Sequence, residues 1–199
     1  MNQYFEKPTI IETGCQRFES DIGAGESTTI FCEYIQRYGG RLISVDISEE
    51  NLIMAQKCVA SYNISKEFHA IDSVEFLRKY QGKCDLVYLD SYDYPYSEML
   101  DEFGGKTDME AATKQLYSVS PEELNKRFTG LIGPCQQHCL NELLAILPNL
   151  HDKSIVLFDD NLLPGGGKPK TAKQYLLANN WTCILDYQQS VWVKGFGLW

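Results

Sequence analysis

No apolar run in this 199-residue chain approaches the ~20 residues that a membrane-spanning helix requires, so no membrane partner is expected. Basic residues are scarce, 18 Lys and Arg against 27 Asp and Glu, for a net charge of −9. That balance argues against a sequence-independent nucleic-acid surface, which needs clustered cations. The one notable cluster, Lys168, Lys170 and Lys173, reads as a solvated rim. The seven cysteines form no CxxC pair, and Cys135 and Cys139, with His138 between them, have no second ligand pair at zinc-site spacing. Cys15, Cys32, Cys58, Cys84 and Cys183 fall in or near apolar stretches and read as small buried hydrophobes. Met1 to Pro8 are polar and charged, unlike a secretory leader, so a reduced, cytoplasmic protein is expected.

What is present is globular: 44% hydrophobic and 23% charged residues, with length enough for one domain spanning 1–199. The most informative stretch is Ile10-Ile11-Glu12-Thr13-Gly14, then Gly23-Ala24-Gly25-Glu26-Ser27-Thr28, then Leu42-Ile43-Ser44-Val45-Asp46. It reads as a strand, a glycine-rich turn opening a helix, and a second strand ending in a carboxylate. Open α/β sheets hold nucleosides this way: glycine backbone approaches the ligand, and the acid accepts from ribose hydroxyls. Asp46 follows Gly25 by 21 positions, near the ~20 expected of a ribose-binding acid. Eight residues, Cys15 to Ile22, separate Gly14 from Gly23, so which glycine approaches a ligand stays open.

Apolar strands alternate with amphipathic segments almost throughout. Strands are expected at about 9–13, 41–46, 66–71, 84–90, 154–159, 181–187 and 190–195, and helices at about 26–38, 49–62, 72–80, 134–149 and 168–179. Strands such as 84–89 and 154–158 are near-continuous apolar runs, as in parallel sheets covered on both faces. Only Gln188-Gln189-Ser190 separates the last two strands, too short for a parallel crossover, so that pair must be antiparallel. The expectation is a doubly wound, Rossmann-like α/β sheet of seven strands, mostly parallel with an antiparallel terminal strand. A polar insertion at about 91–133 follows the fourth strand and reads as a lid.

Together these motifs resemble the class I S-adenosylmethionine-dependent methyltransferases, closest to small O-methyltransferase-like members, over about Thr9 to Gly195. The resemblance implies S-adenosyl-L-methionine as cofactor and a small-molecule acceptor, with oxygen as the methylated atom. Carried over, Glu12, Gly14, Gly25 and Ser27 surround the methionine part of the cofactor. Asp46, with Ile47 beside it, binds the ribose, and Asp72-Ser73 lie against the adenine. Read from the residues alone, Asp72 serves equally well as a helix N-cap.

Asp90 closes the fourth strand and Asp159-Asp160-Asn161 the fifth, where open α/β sheets bind ligands. The pattern is similar to catechol- and caffeoyl-type O-methyltransferases, which implies Asp90, Asp160 and Asn161 as ligands of Mg²⁺ or another divalent cation, with Asp159 an alternative to Asp160. Such an ion would lower the pKa of a substrate hydroxyl. Against this, Lys168 and Lys170 could neutralise the same acids. Catalytic candidates are Asp90, Asp93 and His138, with Tyr92 a further candidate base and His138 near the start of a helix opening at Pro134. Tyr92, Tyr94 and Tyr96 could wall a pocket. A nicotinamide-dependent oxidoreductase, or a nucleoside-binding module without transfer, would share the glycine turn and Asp46. The terminal hairpin disfavours the former. Pairing with a second copy as a homodimer stays open.

Overall fold

The computed structural model describes residues 5–19 and 26–195. Its seven strands are β1 Thr9–Thr13, β2 Arg41–Asp46, β3 Ser65–Ala70, β4 Cys84–Leu89, β5 Leu150–Phe158, β6 Thr182–Asp186 and β7 Ser190–Val193. They form one sheet in the order β3-β2-β1-β4-β5-β7-β6. β7 runs antiparallel to both neighbours, β5 and β6. The other pairings are parallel.

Helices α1 (Ser27–Tyr38) and α2 (Glu49–Cys58) follow β1 and β2, and α3 (Ser73–Lys79) follows β3. Between β4 and β5 lie α4 (Tyr96–Asp101), α5 (Met109–Ser118), α6 (Pro121–Arg127) and α7 (Thr129–Ile146), and α8 (Lys170–Ala178) precedes β6. The pleat sorts the strand side chains onto two faces. Ile11, Ile43, Val87, Leu89, Val156 and Phe158 pack with Leu143 and Ile146 of α7 and Leu176 of α8. Ile10, Leu42, Leu86 and Tyr88 pack instead against Phe31, Cys32 and Ile35 of α1. Both faces are therefore covered.

Three expectations change. The insertion is helical rather than a long loop: α4, α5, α6 and the start of α7 enclose a core of their own, around Met99, Leu116, Leu124, Phe128 and Ile132. α7 begins at Thr129, so Pro134 lies inside the helix rather than opening it. A proline there leaves the Gly130 carbonyl without its usual donor, which the 18-residue helix tolerates through its packing. β5 begins at Leu150, earlier than expected, because His151 pairs with Asp85 and draws the polar residues His151, Asp152 and Lys153 into the strand. Among the described residues, no helix is long and apolar enough to cross a membrane.

Candidate active site

The register aligns the ends of four strands. Thr13 pairs with Val45 of β2 and Leu89 of β4, and Leu89 pairs with Phe158 of β5. The next residue of each strand therefore falls in one row across the carboxyl edge: Asp46, Gly14, Asp90 and Asp159. Chain direction across the sheet reverses between β1 and β4, which is where open α/β sheets leave a crevice. A cleft of about 1190 Å³ opens there, lined among others by Gly14, Ser27, Tyr88, Asp90, Asp160 and Lys168.

Gly14 joins the strands closely. It has φ +77°, and a Cβ on it would fall 2.6 Å from the Asp90 carbonyl oxygen. Its N–H donates to Val45 O at 2.8 Å. Ser27 sits on the cleft wall with its hydroxyl turned to Glu12, at 2.9 Å. Glu12 itself lies beneath the floor. It is wholly buried and also accepts from Thr28 at 2.6 Å and Ser44 at 2.7 Å. Desolvation raises its pKa to about 7 despite these three hydroxyls. It braces β1, β2 and α1 rather than facing the cleft. Gly25 lies outside the described residues.

Asp46 is buried and engaged by the protein. It accepts from Ser48 N at 2.8 Å, Cys15 N at 3.2 Å and Asn51 Nδ2 at 3.3 Å. Ile47 beside it is 77% exposed. Asp72 N-caps α3 through Glu75 N at 2.9 Å. The Ser73 hydroxyl meets Ser91 Oγ at 3.1 Å and His138 Nε2 at 3.0 Å. Ser91 in turn donates to the buried Glu142 at 2.6 Å. His138 is spent in this network, beneath the ring of Tyr92 (centroids 5.1 Å apart), and does not line the cleft. Asp93 does line it, paired with Arg17 at 2.7 Å.

The expected metal ligands do not converge. Asn161 turns toward the terminal hairpin: its Nδ2 donates to Asp186 at 2.8 Å and its Oδ1 accepts from Lys173 at 2.6 Å. Asp90 and Asp160 do approach each other, but the Lys168 ammonium lies between them, at 2.8 and 3.0 Å. Asp159 is held by the Tyr88 hydroxyl and the Asp160 N–H. A donor set already closed around a lysine cation does not fit a divalent ion, and no cluster of three or more His, Cys, Asp or Glu that could hold one occurs among the described residues. Lys168 does neutralise these acids, but its side chain is buried rather than part of a solvated rim; the signal for this in the sequence is Gly165-Gly166-Gly167, just before it. The phenol of Tyr88 has no such signal, since it sits within an apolar run.

A reversed last strand inserted beside the fifth, after the order 3-2-1-4-5, separates this sheet from the all-parallel nicotinamide-binding arrangement. The fold is that of the class I S-adenosylmethionine-dependent methyltransferases. Solved structures with this methyltransferase fold include the TDP-rhamnose 3'-O-methyltransferase of calicheamicin biosynthesis (15% identity, 96% of this chain and 72% of that one, TM-score 0.56). A putative methyltransferase from Streptococcus mutans, in complex with SAH, aligns over 97% of this chain and 92% of its own (10% identity, TM-score 0.55). An rRNA methylase from Streptococcus thermophilus does so over 97% and 90% (6% identity, TM-score 0.56). No protein-family model and no curated protein matches the sequence.

Proposed function

We propose that this chain is an S-adenosylmethionine-dependent methyltransferase acting on a small-molecule acceptor. The observation that carries the reading is the cleft at the reversal point, with the Asp90 carboxylate on its floor. Its volume suits a nucleoside cofactor together with a modest acceptor. The lining supports a small acceptor over a polyphosphate chain. It carries Glu26, Asp90, Asp93, Asp159 and Asp160, while its two cations, Arg17 and Lys168, are already paired.

Bound cofactor supplies a methyl group on a positively charged sulfur. The remaining work, holding donor and acceptor in line, falls to the protein. Asp46, which borders the cleft through Cys15 rather than lining it, would take the ribose by exchanging its long contacts to Asn51. Ile47 and Ser73, also outside the lining, would meet the base where it extends beyond the cleft. Gly14 and Ser27 would border the methionine part. Oxygen as the methylated atom suits Asp90. Burial and the neighbouring Asp159 outweigh Lys168 and raise its pKa to about 6, so its carboxylate can accept an acceptor hydroxyl's proton near neutral pH. Asp93, exposed and bound to Arg17, would shape the rim. His138 would position Ser73 and Ser91 without touching the acceptor.

Calorimetric titration with S-adenosylmethionine tests this. Saturable binding that is lost in Asp46→Ala is expected; an absence of heat at millimolar cofactor would end the proposal.

A further inference from the structure

We infer that Lys168 stands in for a divalent cation at the acceptor end of the cleft, so that the site works without a metal. This rests on the methyltransferase reading only for what the site does, not for the geometry. The Lys168 side chain is 3% exposed, although a long charged side chain ordinarily reaches for water. Its three protons are all committed: to Asp90 Oδ1 at 2.8 Å, to the Asp90 carbonyl at 3.3 Å and to Asp160 Oδ2 at 3.0 Å. Burial works against the charge, but the two carboxylates outweigh it and hold the ammonium above its ordinary pKa. Two acids at a strand edge would otherwise repel each other. The lysine removes that repulsion as an ion would.

The chain is shaped to deliver this ammonium. Gly165, Gly166 and Gly167 all have positive φ, 76°, 95° and 71°, and a Cβ on Gly167 would strike the Asp160 carbonyl oxygen. Asp160 itself adopts φ +56°, which is uncommon outside glycine. Three side chains from the segment between β4 and β5 then fix the loop's carbonyls. Tyr94 donates to Pro164 O, Asn125 of α6 to Gly165 O, and Gln136 of α7 to Gly167 O at 3.0 Å. The insertion thus buttresses the lysine loop.

With its protons committed, Lys168 offers nothing to an acceptor directly. It is a positioning residue: it claims one oxygen each of Asp90 and Asp160. Among the described residues the second oxygen of each carboxylate has no partner, which leaves it for the acceptor's own proton donors.

The test is Mn²⁺ titration of the purified protein followed by electron paramagnetic resonance, with cofactor binding measured separately by calorimetry. Wild type is expected to bind no Mn²⁺ at millimolar concentrations. Lys168→Ala and the bulkier Lys168→Gln should each gain a submillimolar site, at least about tenfold tighter than the millimolar limit at which wild type shows none, lost again when Asp160→Asn is added. Lys168→Arg should stay metal-free. A submillimolar Mn²⁺ site in wild type would overturn the inference, even if the variants do not fold. So would folded Lys168→Ala and Lys168→Gln that bind no more tightly than wild type. Cofactor binding that fails while the Mn²⁺ pattern holds would count against the methyltransferase reading alone.

Discussion

The Thr28 hydroxyl donates to the Glu12 carboxyl group across 2.6 Å, and both side chains are wholly buried. Ser44 and Ser27 add donors at 2.7 and 2.9 Å, so one acid ties together β1, β2 and the first turn of α1. Desolvation still dominates and moves its pKa up to about 7. Between the ordinary glutamate value and 7, the folded state binds more protons than the unfolded one. Stability is therefore full below that range and falls as pH rises through it, by an order of 3 kcal/mol. Urea unfolding should show Glu12→Gln to be less stable than wild type at pH 5, with the gap narrowing or reversing at pH 8. A gap that widens with pH would refute this account of Glu12.

Glycine requirements should differ sharply by position. Gly14→Ala combines φ +77° with a Cβ 2.6 Å from the Asp90 carbonyl oxygen, whereas Gly104, at φ +86°, faces open space. Gly104→Ala should cost only about 1 kcal/mol, the left-handed penalty alone. Gly14→Ala should cost at least twice that and move the strand edge that carries Asp90. Unfolding midpoints of the two variants make the comparison; equal losses would mean the β1–β4 junction yields easily.

Gln136 donates to Gly167 O while its own backbone carbonyl accepts from the Thr171 hydroxyl at 2.7 Å, so α7 grips both sides of the lysine loop. Gln136→Ala should leave the Gly167 carbonyl unpaired, at about 1–3 kcal/mol. Amide hydrogen exchange around 162–168 should quicken in this variant more than exchange in α1.

The thiols are expected to be unreactive. Burial pushes Cys32 up to about 12 and Cys135 up to about 11, and raises Cys15, Cys84 and Cys139 as well. Ellman's reagent at pH 8 should react in the folded protein with Cys58 and Cys183 at most, the two that are only half-buried, and with all seven after denaturation. Fast labelling of Cys15 would contradict its packing beside Asp46.

The sheet was readable in the sequence because its strands are long apolar runs and because three residues between β6 and β7 admit only one direction. The insertion was harder. Its helices are short, and their starts, at Asp108 and at Ser120-Pro121-Glu122-Glu123, are local caps easily taken for loop chemistry. In the site, strand ends such as Gly14, Asp46 and Asp90 were legible because strand length fixes where they fall. Which atoms those acids face was not, because that depends on contacts across long separations. Lys168 meets Asp90 over 78 positions, and Asn161 is turned away from the cleft by Lys173 and Asp186. His138 looked like a base in the sequence, but the two serines it meets come from the start of α3 and from the turn just after β4.

The slot between β5 and β6 is filled by β7, which follows both of them in the chain. Until Ser190–Val193 emerges, a nascent chain has β5 as a bare margin, and β6 has no neighbour to bind. Synthesis thus leaves the β5 margin of the sheet open until Ser190–Val193 has been made, and a stop codon just before Ser190 would cost two strands rather than one.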